Sequence, residues 1–351
     1  MADSHPDSHP EVPFYDLLFV GAGPTGLYGA YCAGFRGLRA AVLDSLPQPG
    51  GQIAALFPEK WIYDIAGLPR VRGRVLVDRL LEQAAAYDPA YLLGRQAVTL
   101  HDEPDGGLRI GCSDGTAVRC RALVITAGVG RFQPRPLPAA ADWAGDGVHY
   151  FVPDPGAHRD QDVVVVGGGD SALDWCLALR PIARSVTLVH RRDTFRAHAA
   201  TVVQLHADEA LPLLLNSELT ALRGGYDGGT LRAVEVRSVV DGTVTRLPAQ
   251  AVVAALGFLA DPGPLRTWVE LRERRVVTDS RMRTSRPGVY AAGDIATYPG
   301  KVRLISVGFG EVATAVNNAA IALDPAQPLA PGHSSDRPQP PPRPHLQEIP
   351  A

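Results

Sequence analysis

Two glycine-rich hexapeptides, GAGPTG at 21–26 and GGGDSA at 167–172, each follow an apolar run and open a helical pattern. In the first, Gly21 permits a tight turn, Gly23 lets the backbone approach a pyrophosphate, and Gly26 allows close helix packing, with phosphate at the positive helix N-terminus. Asp44 closes the next apolar strand, 18 residues beyond Gly26. A carboxylate there can accept both hydroxyls of an unphosphorylated adenosine ribose, so this stretch predicts a dinucleotide site.

The second loop, Gly167, Gly168, Gly169, Asp170, Ser171 and Ala172, has the form GxGxxA. Gly21 and Gly167, Gly26 and Ala172, and Asp44 and His190 are each 146 positions apart. The counterpart of the ribose-binding carboxylate is therefore His190, and Arg191, Arg192 and Arg196 follow it. A carboxylate would repel a 2'-phosphate, whereas guanidinium groups grip one through charge-assisted, often bidentate bonds. The second nucleotide should thus be NADPH rather than NADH. The plainer reading of such a run, a solvated basic face, ignores its place in the repeat. One site for an unphosphorylated adenosine and one for NADP suggest a flavoprotein, with FAD in the first half.

The elements that must position these loops are legible on either side. "YDLLFVGAGPTGLYGAYCAGFRGLRAAVLD" and "DVVVVGGGDSALDWCLALRPIARSVTLVHRR" both read strand, glycine turn, helix, strand. Each is followed by alternating strands around a DG turn and an apolar strand closing on glycine, in "LRIGCSDGTAVRCRALVITAG" and "LRAVEVRSVVDGTVTRLPAQAVVAALGF". The chain is α/β, with two doubly wound, Rossmann-like domains of three layers (ββα). The folded body spans about 14 to 324, because the last 27 residues hold nine prolines and cannot form a core.

Bulk composition narrows the partners. The 351 residues carry a net charge of −3 and are 46% hydrophobic and 20% charged, so no global basic field attracts nucleic acid or an anionic membrane. Neither an 18-residue apolar run nor a secretory leader is visible, which points to the cytoplasm. Cys32, Cys112, Cys120 and Cys176 form no CxxC and have no histidine at metal-ligand spacing, so neither a redox disulfide nor a metal is expected.

The ordered blocks "GAGPTGL", "LDSLPQPGGQ", "LFPEKWIYDIAG", "ITAGVGRFQPR", "HYFVPD", "VVGGGDSALDW", "HRRDTFRAH", "AAGDIATYPGKVRLISVGFGE" and "ATAVNNA" resemble the thioredoxin reductase-like (type 2) ferredoxin–NADP reductases along nearly the whole body. The resemblance implies an NADP domain (129–257) inserted into an FAD domain (14–128 and 258–324), hinges near Gly128 and Gly257, and a homodimer. Residues 1–13 would be a flexible N-terminus, and the Pro-rich tail 325–351 would bring His333 and Ser335 to the partner's flavin.

For FAD, the resemblance adds Gln52, Phe57, Val98, Phe132 and Asp294 to Gly21, Gly23, Gly26 and Asp44. Phe57 stands where the family usually has a flavin-stacking tyrosine, so the ring face is kept and the hydroxyl lost. Val98 would contribute through its backbone. The NADP set is Gly167, Gly168, Asp170, Ser171, His190, Arg191, Arg192 and Arg196. No acid or base is strictly required; Phe57 and His333 would stack on the flavin.

The expected partner is ferredoxin or flavodoxin, with Arg70, Arg72, Arg74, Arg131 and Arg135 as candidate docking charges. Thioredoxin reductase itself shares both nucleotide sites but needs a dithiol just before the second glycine loop. Here "HYFVPDPGAHRDQDVVVVGGG" contains no cysteine, so electrons must leave the flavin directly. An NADPH-dependent diaphorase acting on quinones or flavins, and a non-catalytic FAD/NADP redox sensor, remain open alternatives.

Overall fold

The computed structural model describes residues 12–56, 58–152, 154–224 and 229–336, with the backbone alone for 131–133 and 258–260. Most of the expected N-terminal extension and the prolines from Pro338 onward therefore lie outside the described residues. The chain divides into two compact units, 1–131 with 260–351, and 132–259. The divisions fall slightly beyond the expected hinges at Gly128 and Gly257, inside the strands Arg131–Pro134 and Phe258–Asp261, which pair as a two-stranded sheet.

In the first unit the parallel strands Ala90–Leu92, Ala40–Leu43, Phe14–Val20, Ala117–Ile125 and Val289–Ala291 lie side by side. The strand Ala117–Ile125 serves two structures along its length. Its first half pairs antiparallel with Leu108–Cys112 in a meander that continues to Ala97–Asp102, and its last three residues pair with Val289–Ala291.

Period-two alternation sorts the side chains. Leu18, Leu43, Leu123 and Ile125 enter a core shared with the meander. Leu17, Phe19, Val42 and Val124 enter one shared with the helices Pro24–Phe35 and Ile305–Leu323. Because both faces are covered, these strands read as continuous apolar runs.

The second unit repeats the plan. Its parallel strands are ordered Val148–His149, Ala251–Ala254, Asp162–Val166, Ser185–Val189, Leu213–Leu214. Val163, Val165 and Leu188 face the helices Asp170–Leu179 and Ala199–Ala207. Val164, Val166 and Val189 face the meander Ser217–Gly224, Leu231–Ser238, Val244–Pro248. Even the DG turns match, since Asp114 and Asp241 each accept the amide two residues on, from Thr116 and Thr243, at 3.0 Å.

The glycine loops are fixed by sterics. A Cβ on Gly21 would lie 2.4 Å from the carbonyl oxygen of Thr126, and one on Gly167 would lie 2.4 Å from that of Ala255. The third loop position differs: a Cβ on Gly26 would sit 1.9 Å from the Gly21 oxygen, whereas the second loop accommodates Ala172. Gly26→Ala should therefore destabilise the first unit by at least about 1–3 kcal/mol. Ala172→Gly should cost the second only about 1 kcal/mol, mostly as helix propensity. Denaturant unfolding of the two variants checks the asymmetry.

Candidate nucleotide sites

The first loop opens the helix Pro24–Phe35, whose first turn has Pro24 at a position where no amide hydrogen is needed. Gly23 is the open position: a Cβ there would meet nothing within 4 Å. Free space beside this backbone is what close approach of a pyrophosphate requires, so the loop fits a dinucleotide. Two further glycines bring the neighbouring segment onto it. Gly50 donates its amide to the Ala22 carbonyl at 2.8 Å, and a Cβ on Gly51 would lie 2.9 Å from the Gly23 Cα. This contact starts the short helix Gly51–Leu56 beside the loop and brings Gln52 against Gly128, where a Cβ would be 3.0 Å from its amide nitrogen.

Asp44 follows the strand Ala40–Leu43 and turns back to the loop. Its carboxylate accepts the amides of Ala22 at 2.6 Å and Leu46 at 2.8 Å. Burial raises its pKa above the ordinary carboxylate value, against the pull of these backbone donors. Val98 occupies a bulge, where the register with Leu108–Cys112 shifts between Ala97 and Thr99. A bulged residue is skipped by the ladder, which leaves its backbone groups available.

Asp294 lies in the 3-10 turn Gly293–Ile295, its carbonyl accepting from Arg275 Nε at 3.1 Å. Phe57 lies outside the described residues, and for Phe132 the backbone alone is described, in the strand Arg131–Pro134.

In the second unit the basic run folds back over its loop. Arg196 donates its amide to the Gly168 carbonyl at 2.7 Å, and the His198 amide donates to the Asp170 carboxylate at 2.9 Å. Ser171 follows Asp170 in the first turn of the helix. The open backbone position is Gly169, where a Cβ would come no closer than 3.7 Å to the Arg196 oxygen.

His190 does not join the arginines. Its ring lies on the loop, where a Cβ on Gly168 would fall 2.1 Å from Cε1, and it stacks on Phe195 at 5.5 Å between centroids. Its Nε2 donates to the Thr194 carbonyl at 3.0 Å. Burial first, then repulsion from Arg192 and Arg191, lowers its pKa, so the ring is neutral near pH 7 and packs the loop. Arg191, Arg192 and Arg196 are exposed and have no ion pair among the described residues, unlike Arg180 and Arg184, which pair with Asp208 and Asp162. Three exposed arginines without an ion pair, in the segment that folds back over a glycine loop, fit a terminal phosphate dianion.

The candidate docking charges are less free. Arg72 and Arg74 both pair with Glu59, and the Arg70 and Arg72 guanidinium groups lie 4.7 and 5.0 Å from the centre of the Trp61 ring. Arg135 is exposed, and the Arg131 side chain lies outside the described residues.

The tail leaves the helix Ile305–Leu323 and is held at Pro328, whose carbonyl accepts from Arg36 at 2.8 Å. Arg36 closes the glycine-loop helix at the end away from the loop. His333 and Ser335 then lie in or beside the exposed turn Ser334–Asp336, where the His333 carbonyl accepts the Asp336 amide at 3.1 Å.

All four cysteines are buried and reduced. Burial pushes the Cys32 and Cys120 thiols up to about 12 and raises Cys112 and Cys176 as well.

The family model for pyridine nucleotide-disulphide oxidoreductases matches residues 15–319. The chain belongs to this family. Among curated proteins, it is 59% identical over 322 residues to the ferredoxin–NADP reductase of Saccharopolyspora erythraea, covering 92% of this chain and 97% of that one. It is 56% identical to the enzyme of that name from a Nocardioides species, with the same coverage. Among solved structures, thioredoxin reductase of T. acidophilum superposes with a TM-score of 0.72 at 24% identity, covering 88% of this chain and 99% of that one. This likeness establishes the two-domain Rossmann-like fold.

Sequence reasoning missed Thr126, whose hydroxyl donates to the Gly21 carbonyl at 2.8 Å, and a buried group formed by Tyr298, Lys301 and Glu311. Glu311, the only charged residue of the helix Ile305–Leu323, was the available signal.

The lowered pKa of His190, together with that of His149, gives a pH test. The unfolded chain takes up protons near the ordinary histidine value of about 6.5, while the folded protein resists, so stability falls as pH drops through that range. Melting curves between pH 7.5 and 5.5 should show this decline, and His190→Gln should flatten it.

Proposed function

We propose that the chain is a flavoprotein ferredoxin–NADP reductase, with FAD on the discontinuous unit and NADPH on the inserted one. The observation that carries this reading is 55–59% identity, along nine-tenths of the chain, to proteins named for that activity. The absence of a dithiol before the second glycine loop supports it against a thioredoxin reductase reaction. When bound, FAD supplies the chemistry, taking a hydride from NADPH and releasing electrons singly.

The chain's residues bind and orient. Gly21, Gly23 and Gly26 form the pyrophosphate cradle, Asp44 offers its carboxylate to the ribose hydroxyls, and Gln52, Phe57, Val98, Phe132 and Asp294 border the remainder of FAD. Gly167, Gly168, Asp170 and Ser171 receive the NADPH pyrophosphate beside the open Gly169. Arg191, Arg192 and Arg196 hold its 2'-phosphate, and His190 shapes the loop beneath it. No side chain has to give or take a proton.

The working assembly is a homodimer in which His333 and Ser335 reach the flavin of the partner subunit. Support comes from the anchor of the tail on Arg36. Pro328 is tied at the far end of the glycine-loop helix, roughly 18 Å along its axis from Gly23, the length of a 12-residue helix. The acceptor is ferredoxin, with flavodoxin as a second carrier of the same class. The site of action is the cytoplasm; no helix among the described residues is long and apolar enough to cross a membrane.

Arg191→Ala with Arg192→Ala should raise KM for NADPH at least about tenfold while leaving NADH within about twofold. Equal losses with both cofactors would sink the NADPH assignment. Stopped-flow mixing of NADPH-reduced protein with ferredoxin should restore the yellow colour within the turnover time; reoxidation by quinones alone would identify a diaphorase instead.

A further inference from the structure

The Tyr298–Lys301–Glu311 group lies outside the residues assigned to FAD. Lys301 and Glu311 form an ion pair whose side chains are only 3% and 5% exposed. Burying two charges is costly, and apolar residues of similar volume would often be no less stable, so the pair itself does not explain its presence. What the carboxylate holds does. One Glu311 oxygen accepts from Lys301 and from the Tyr298 hydroxyl at 2.5 Å, and the other accepts the Gly293 amide at 2.8 Å.

Each partner is placed by local sequence. Tyr298-Pro299-Gly300-Lys301 is a β-turn in which the Lys301 amide donates to the Tyr298 carbonyl at 3.1 Å and Gly300 has φ +81°. Proline then glycine at the central positions suits a type II turn, which folds Lys301 back beneath Tyr298.

Gly293 begins the turn that carries Asp294. At φ +80° it has no room for a Cβ, which would lie 2.8 Å from the Thr25 hydroxyl oxygen. Thr25 also presses on Gly308, one helical turn before Glu311, where a Cβ would be 2.6 Å from the same oxygen. Thr25 stands two residues after Gly23, in the first turn of the glycine-loop helix. A single contact therefore joins that helix, the Asp294 turn and the C-terminal helix, with Arg275 holding the Asp294 carbonyl from another side.

We infer that Glu311, held by Lys301 and Tyr298, is a positioning residue for flavin binding: it fixes the Gly293–Ile295 turn, and with it Asp294, against the glycine loop. The inference rests on the assignment of FAD to this unit. Without the Glu311 acceptor, the Gly293 amide loses its partner in a buried setting, and the turn relaxes away from Thr25.

The test uses deflavinated full-length protein and measures FAD affinity by flavin fluorescence, the melting temperature of the apoprotein, and NADP+ affinity as a readout of the other unit. Glu311→Gln should weaken FAD binding at least about tenfold and alter the visible band shape of the flavin that does bind, with NADP+ affinity unchanged. Tyr298→Phe, which removes one bond on the carboxylate and no charge, should produce a smaller loss in the same direction. Combining Lys301→Met with Glu311→Gln removes the uncompensated ammonium and leaves an amide oxygen for Gly293, and should recover part of the FAD affinity.

FAD binding within about twofold of wild type in Tyr298→Phe and the double variant would overturn the inference, even if Glu311→Gln fails to fold. So would losses that follow apoprotein melting and appear equally in NADP+ binding. Wild-type protein that takes up no FAD but still binds NADP+ would instead remove the assignment of this unit.

Discussion

The structure depends on one close approach made twice: a glycine loop leaving a central parallel strand passes so near the end of the neighbouring strand that no β-carbon fits between them. At Gly21 the obstacle is the Thr126 carbonyl, and at Gly167 it is the Ala255 carbonyl. This constraint fixes where the helix starts, directs its positive end past the carboxyl edge of the sheet, and leaves free space beside the glycine two residues on. Three layers are needed to hold it. The apolar strands must be covered on both faces, by helices on one and by a meander on the other, before the backbone can be held this tightly.

Within that shared frame, chemistry is set at the tip of the following strand. In the first unit a half-buried carboxylate turns onto the loop, and burial pushes its pKa up while backbone amides hold it in place. In the second, an imidazole packs down on the loop and the arginines beyond it are exposed and form no ion pair among the described residues. The imidazole is kept neutral partly by the guanidinium groups it precedes. Packing the loop thus falls to His190, which leaves the adjacent arginines to the phosphate contact proposed for them.

The repeat was legible because its signals are local: glycines at fixed spacing, period-two apolar strands and aspartate–glycine turns each specify their own neighbourhood. The 146-residue offset holds in the structure, with Phe14–Val20 answering Asp162–Val166 and Pro24–Phe35 answering Asp170–Leu179. What was not legible depends on side chains meeting across the fold. Nothing near His190 in the sequence says that its ring will lie on Gly168. The three arginines at 70, 72 and 74 read as free charge, yet Trp61, from the strand paired with Val71–Arg72, and Glu59, just before that strand, engage them. Glu311 was visible as a lone charge on an apolar helix, but its partners Gly293, Tyr298 and Lys301 are brought to it only by packing.

The four buried cysteines carry a consequence of their own. Thiolate is the form that attacks disulfides, peroxides and alkylating agents, and a thiol whose pKa is near 12 offers almost none of it at neutral pH. A protein built on the frame of disulfide reductases has in this way withdrawn sulfur from its reactive surface. Burial raises all four thiols, so each is held mainly in the protonated form, the one that oxidants of dithiol enzymes attack least.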